Sequence, residues 1–205
     1  MADTYLTINK ISEGLYKEKG SKFLSFAIPV RTVEEIKAII EEKRKLYHDA
    51  RHVCFAYILG PEGKEFRAND DGEPSGTAGR PMLGVLQSNN LTNTLLVIVR
   101  YFGGTKLGTS GLINAYKESA SNAIANNEII EKTIDKVLVI HFEYPFLNEI
   151  MKIVKEEEPT ILNQAFDMEC SMTLSIRQRD YDRLKNKLEQ ASINLKSILK
   201  IEEEQ

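Results

Sequence analysis

Groups able to hold an anion concentrate between Arg100 and Gly111, in the run RYFGGTKLGTSG. An apolar stretch ends at Phe102, glycines turn the chain at Gly103, Gly104 and Gly108, and a helical pattern follows Gly111. The free backbone N–H groups of such a helix start, with the helix dipole, attract negative charge. Arg100, Lys106 and Lys117 are the cations nearest to it in sequence, and Thr109 or Ser110 is the expected helix cap. A tight turn whose glycines serve geometry alone accounts for the same residues. A nucleotide P-loop does not. Gly103 and Gly108 have its spacing, but Thr109 stands where a lysine belongs, and Lys106 lies inside the loop.

A second glycine-rich run, DDGEPSGTAGRP, covers residues 70–81. Hard cations such as Mg²⁺ take carboxylate oxygens like those of Asp70, Asp71 and Glu73, but an acidic turn in water is the simpler account. If this loop folds over the other, these acids and Ser75 form a polar rim with Arg80, which also joins the phosphate-binding candidates. His52 and Cys54 alternate on one strand face. A Cys–His nucleophile needs a third, orienting group that nothing nearby clearly supplies, so a buried cysteine beside a polar histidine is expected. His48 and His141 are isolated. There is no GxSxG, no HExxH and no carboxylate pair placed for hydrolysis. No catalytic residue, metal ligand or cofactor is assigned.

These loops need elements to hold them. Residues 4–11, 22–30 and 52–59 read as strands, and Thr32 with Glu35 forms a capping box ahead of a helix carrying Ile36, Ile39 and Ile40. Residues 67–84 read as loop, with a short helix around 82–86. The continuous apolar run in 94–102 reads as a buried central strand. Leu112, Tyr116, Ala120, Ala123 and Ile124 line one face of the helix after the second loop.

After Asp135 the pattern restarts: strand 137–144, a helix opened by Pro145, strands 160–168 and 169–177, a helix capped by Asp180, and strand 193–201. Cys170, Met172, Leu174 and Ile176 point inward. The order is βαββαβ. The expected division is 1–135 and 136–205, within an α+β fold class.

Across 205 residues the formal net charge is -3, so nucleic acid must be met by a local basic patch. Cys54 and Cys170 form no disulfide framework or CxxC site. No apolar run spans a membrane, no signal peptide opens the chain, and a reducing cytoplasm is the expected compartment. Glu202, Glu203 and Glu204 read as a solvated tail.

The run GRPMLGVLQSNNLTNTLLVIVRYFGGTKLG resembles the signature of the YigZ/IMPACT family: a glycine, spaced aliphatics, then Arg100, Tyr101, Phe102, Gly103, Gly104, Leu107 and Gly108. The upstream DDGEPSGTAGRPM is similar as well, and the resemblance extends over essentially the whole chain, in the manner of the bacterial two-domain branch. It implies a first domain like the βα fold of a ribosomal small-subunit protein and domain IV of elongation factor G. It implies a ferredoxin-like second domain. It associates the eukaryotic relative with translation control. The resulting expectation is a non-enzymatic binding protein that contacts RNA, the ribosome or a translation-associated protein. Arg80, Arg100, Gly103, Gly104, Lys106, Gly108, Thr109, Ser110 and Lys117 are its phosphate-binding candidates. A small-molecule phosphotransferase, with Asp70 or Asp71 as metal or base group, and a pure protein-interaction adaptor are the alternatives.

Overall fold

The computed structural model describes residues 3–166, 170–195 and 200–204. It is mixed α+β and separates into two compact units, Tyr5–Lys132 and Met1–Thr4 with Thr133–Gln205.

The first unit is built on a five-stranded antiparallel sheet in the order β2-β3-β6-β4-β5. Its strands are β2 (Ser12–Glu18), β3 (Ser21–Pro29), β4 (His52–Leu59), β5 (Glu65–Asn69) and β6 (Thr94–Tyr101). β6 is central and covered on both faces, which is why its apolar residues run without alternation. Leu95, Val97 and Val99 join one core with Val53, Phe55 and Tyr57 of β4, beneath α1 (Val33–Leu46). Leu96 and Ile98 join the other with Cys54, Ala56 and Ile58, beneath α2 (Gly79–Ser88) and α3 (Gly108–Ala125). Thr32 caps α1 by accepting from the Glu35 N–H, while the Glu35 carboxylate reaches back to the Arg31 N–H, one residue before the cap.

A separate two-stranded sheet joins β1 (Thr4–Ile8) to β7 (Ile129–Thr133). Residues 9–11 are therefore not part of the first strand. β2, β5 and β7 are strands that the sequence pattern does not reveal, and β5 occupies residues 65–69 at the start of the segment read as loop.

The other unit runs β8 (Asp135–Phe142), a 3₁₀ turn at Tyr144–Phe146, α4 (Leu147–Glu157), β9 (Thr160–Phe166), β10 (Cys170–Arg177), α5 (Gln178–Leu195) and β11 (Lys200–Glu204). Its strands pair antiparallel in the order β11-β8-β10-β9. Cys170, Met172, Leu174 and Ile176 pack inward with Leu138 and Ile140 against Ile150, Val154, Leu184 and Leu188 of the helices. Four expectations change. Pro145 lies in the 3₁₀ turn, and α5 begins two residues before Asp180. Residues 193–195 extend α5 instead of opening a strand, and the acidic residues 202–204 belong to β11 and not to a tail. The expected strand ends at 167–169 and 196–199 lie outside the described residues.

Glu157 ties α4 to α5. Its side chain is buried and contacts Lys187 Nζ at 2.6 Å and Arg183 Nε at 2.6 Å. The hydrogen bond from Lys187, then that from Arg183, holds its carboxyl below the ordinary glutamate range against the opposing effect of burial. A carboxyl depressed on folding stabilises above its unfolded value, and that contribution disappears as pH falls through the folded value. Glu157→Gln is expected to lower the urea midpoint of this unit near neutral pH, with the gap to wild type closing in acid. A gap unchanged between about pH 7 and about pH 3 would remove the ion pair from the account. Among the described residues, no helix is long and apolar enough to cross a membrane.

Candidate functional site

The alternation of β4 and β6 sets the site. His52 and Arg100 are cross-strand partners at one end of the sheet, on the face that α2 and α3 cover. Phe23 of β3 flanks Arg100 on the other side. Above them Tyr116, on the apolar face of α3, packs edge-on against Phe23 with ring centroids 5.1 Å apart.

The loop after β5 delivers a carboxylate to this place. Asp70 to Glu73 form a tight turn closed by the Glu73 N–H on the Asp70 carbonyl at 2.9 Å. Asp71 and Gly72 both take positive φ, 43° and 85°, as a type I′ turn requires. Glu73 thereby swings inward, and its side chain is 3% exposed. Its Oε1 accepts from Arg100 Nη1 at 2.6 Å and from the Tyr116 hydroxyl at 2.9 Å, with His52 Nε2 at 3.9 Å. Burial, with Cys54 and Glu73 close by, pushes the Tyr116 phenol well above the ordinary tyrosine range, so it stays a donor. His52 Nδ1 lies 2.8 Å from the Asp71 carbonyl; the N–H sits on Nδ1 and leaves Nε2 facing Glu73.

The other two acids are structural. Asp70 accepts the backbone N–H groups of Gly76, Ala78 and Gly79 at 2.8, 3.0 and 2.8 Å. It supplies the negative charge at the start of α2, where Ala78 cannot. Asp71 accepts from the Val53 N–H at 2.7 Å and from Arg44 at 2.6 Å. All four of their oxygens are thus engaged, and the expected polar rim reduces to Glu73. The Cys54 thiol is buried, donates to the Asp70 carbonyl at 3.0 Å and is pushed up by burial, which removes the thiolate a nucleophile needs. No group of histidine, cysteine and acidic side chains among the described residues is arranged to hold a metal.

Between the two glycine-rich loops lies a cavity of 440 Å³. Glu73 and Pro74 line it from the first loop, and Phe102, Lys106, Leu107, Gly108 and Thr109 from the second. Arg51, His52, Arg100 and Leu112 complete it. α3 begins at Gly108, so Thr109 and Ser110 lie inside its first turn and neither caps it. Leu107 holds the cap position with no side-chain bond. Arg100 is 5% exposed, and its Nε has no partner.

Of the residues singled out from sequence, Arg100, Glu73, Lys106, Gly108 and Thr109 meet at this cavity. Arg80, Lys117 and Ser75 are exposed elsewhere. Gly103 serves close approach: a Cβ there would lie 1.9 Å from the Gly20 carbonyl carbon. Gly104 and Gly108 hold positive φ, 88° and 75°. The sequence reading missed Tyr116 as a polar partner, and missed Arg51, Phe102 and Leu112 as lining. The available signal was a tyrosine on an apolar helix face, whose hydroxyl needs an acceptor when buried.

Residues 19–124, which contain every residue of the cavity, match the family model described as the Impact N-terminal domain. The IMPACT family member YvyE of Bacillus subtilis (strain 168) is 36% identical over 158 residues, 77% of this chain and 73% of that protein. The IMPACT family member YigZ of Escherichia coli (strain K12) is 31% identical over 187 residues, 90% of this chain and 92% of that protein. A crystal structure described as that of an hypothetical protein matches 98% of this chain and 97% of its own with a TM-score of 0.74 and 27% identity.

Proposed function

The chain belongs to the IMPACT family, and from that membership we propose that it is a cytoplasmic, translation-linked regulatory protein whose cavity grips a phosphate of RNA, free or in the ribosome. The observation that carries this reading is the uncapped start of α3 opening, beside Lys106, into a cavity that also presents Arg51 and Arg100. Four free N–H groups and the positive end of an 18-residue helix attract an oxyanion without any base-specific contact. The association of the eukaryotic family members with translation supplies the context. In the same reading the first unit corresponds to the βα fold of elongation factor G domain IV. The second corresponds to a ferredoxin-like domain, with which its βαββαβ order and its sheet order agree.

Binding of this kind releases condensed counterions, so affinity falls as salt rises. The slope is expected to be shallow, because the net charge is -3 and few cations reach the cavity. Lys106→Ala is expected to weaken binding to all RNA sequences alike and to flatten the salt slope by about one unit. Titration of labelled RNA into wild type and variant at two salt concentrations checks this. No saturable binding at low salt, or an unchanged affinity and slope in the variant, would favour a protein-interaction adaptor instead.

A further inference from the structure

An orthophosphate ion is much smaller than this cavity. Its 440 Å³ falls within the range of about 300–1,000 Å³ typical of small-molecule sites. The lining joins two chemistries. Lys106 and the first N–H groups of α3 suit an anion. A second, independent feature is the Arg100 side chain, which lines the cavity, is 5% exposed, is held by Glu73 through Nη1, and keeps Nε without a hydrogen-bond partner. Phe102, Leu107, Leu112 and Pro74 suit an apolar, planar body. The Phe102 ring is 46% exposed and lies 5.7 Å from the Arg100 guanidinium carbon, so one of its faces is already dressed by a cation.

Resting on the phosphate grip proposed above, we propose that the cavity takes one nucleoside monophosphate unit. Its phosphate lies against Lys106 and the start of α3, and its base stacks on Phe102. Lys106, the start of α3 and the Phe102 ring lie within eight residues of chain, 102–109. Arg80 and Lys117 do not line the cavity. The same unit occurs as a free nucleotide and as the phosphorylated end of a single strand.

The test uses the full chain and four probes: inorganic phosphate, nucleoside 5′-monophosphates, a short single-stranded RNA carrying a 5′-phosphate, and the same RNA ending in 5′-hydroxyl. Nucleoside monophosphates are expected to bind more tightly than inorganic phosphate. Phe102→Leu is expected to weaken nucleotides about tenfold, as loss of one base–aromatic stack does, and to leave inorganic phosphate unchanged. Phe102→Tyr is expected to restore binding, and Lys106→Ala to weaken every phosphorylated probe. Phe102 is half exposed, so these variants keep the fold. A preference for phosphorylated over hydroxyl-ended RNA identifies a strand end as the ligand. Binding of free nucleotide alone identifies the metabolite. If nucleotides bind no better than inorganic phosphate, or Phe102→Leu changes nothing, the proposal is overturned. If Lys106-dependent RNA binding survives that result, the phosphate grip stands without it. If no probe binds, both fall.

Discussion

Glu73→Ala is expected to cost the Tyr5–Lys132 unit about 3–5 kcal/mol, the range for removing one partner of a buried ion pair. The cost does not come from attraction lost between two charges, since burying both already carries a large desolvation penalty. It comes from what is left behind. Arg100 would keep its charge at 5% exposure with no carboxylate, and the Tyr116 hydroxyl would lose its acceptor. Glu73→Gln is expected to cost less, because an amide oxygen still accepts from both donors. Glu73→Gln combined with Arg100→Met is expected to recover much of the loss, since a neutral, packed replacement of both partners is often tolerated. Urea unfolding followed by far-UV circular dichroism is the measurement, as the chain has no tryptophan. The shift is sought in the transition of the Tyr5–Lys132 unit. A loss below about 1 kcal/mol would mean that the carboxylate is not the closing group of this network.

Asp70→Ala is the second large effect, at about 3 kcal/mol, since hydrogen bonds to a charged group contribute about 1.5–3 kcal/mol each and neighbouring ones are not additive. Three N–H groups at the start of α2 lose their acceptor together. Amide exchange at Ala78 and Gly79 is expected to accelerate before global unfolding, because the helix start frays first. Asp71→Ala provides the contrast. It loses one backbone N–H, that of Val53, instead of three, and its Arg44 partner has a side chain 49% exposed, in a pair worth about 0–1 kcal/mol. Equal losses in the two variants would show that the loop is held by the turn itself and not by the Asp70 carboxylate.

The sequence revealed what burial writes into it. β4 and β6 are filled with apolar residues because both of their faces are covered, and the helix on α3 shows its apolar face through Leu112, Tyr116, Ala120, Ala123 and Ile124. β2, β5 and β7 leave no such mark. β5 (EFRAN) is exposed at four of its five positions, and its existence rests on a backbone ladder with β4 that any side chains would permit. At the cavity, Arg100, Lys106 and the glycine loop were legible because the relevant groups are neighbours in sequence. The roles of the three acids were not. Asp70, Asp71 and Glu73 look alike in a row, and a positive-φ turn sends them to three different partners: the start of α2, the edge of β4 with Arg44, and Arg100 with Tyr116. Those last two lie 27 and 43 residues away from Glu73.

The two cysteines fall one to each unit, Cys54 beneath α2 and α3, Cys170 inside the β8–β10 core, and both are buried and outside any disulfide. A thiol reagent can reach either sulfur only when the surrounding core opens. The chain therefore carries one internal clock for each unit, and single-cysteine versions separate the two readings. Ligand binding at the cavity would slow the clock at Cys54, whose sulfur lies 3.4 Å from the Tyr116 hydroxyl on Glu73, and leave the rate at Cys170 to report the other unit's own breathing.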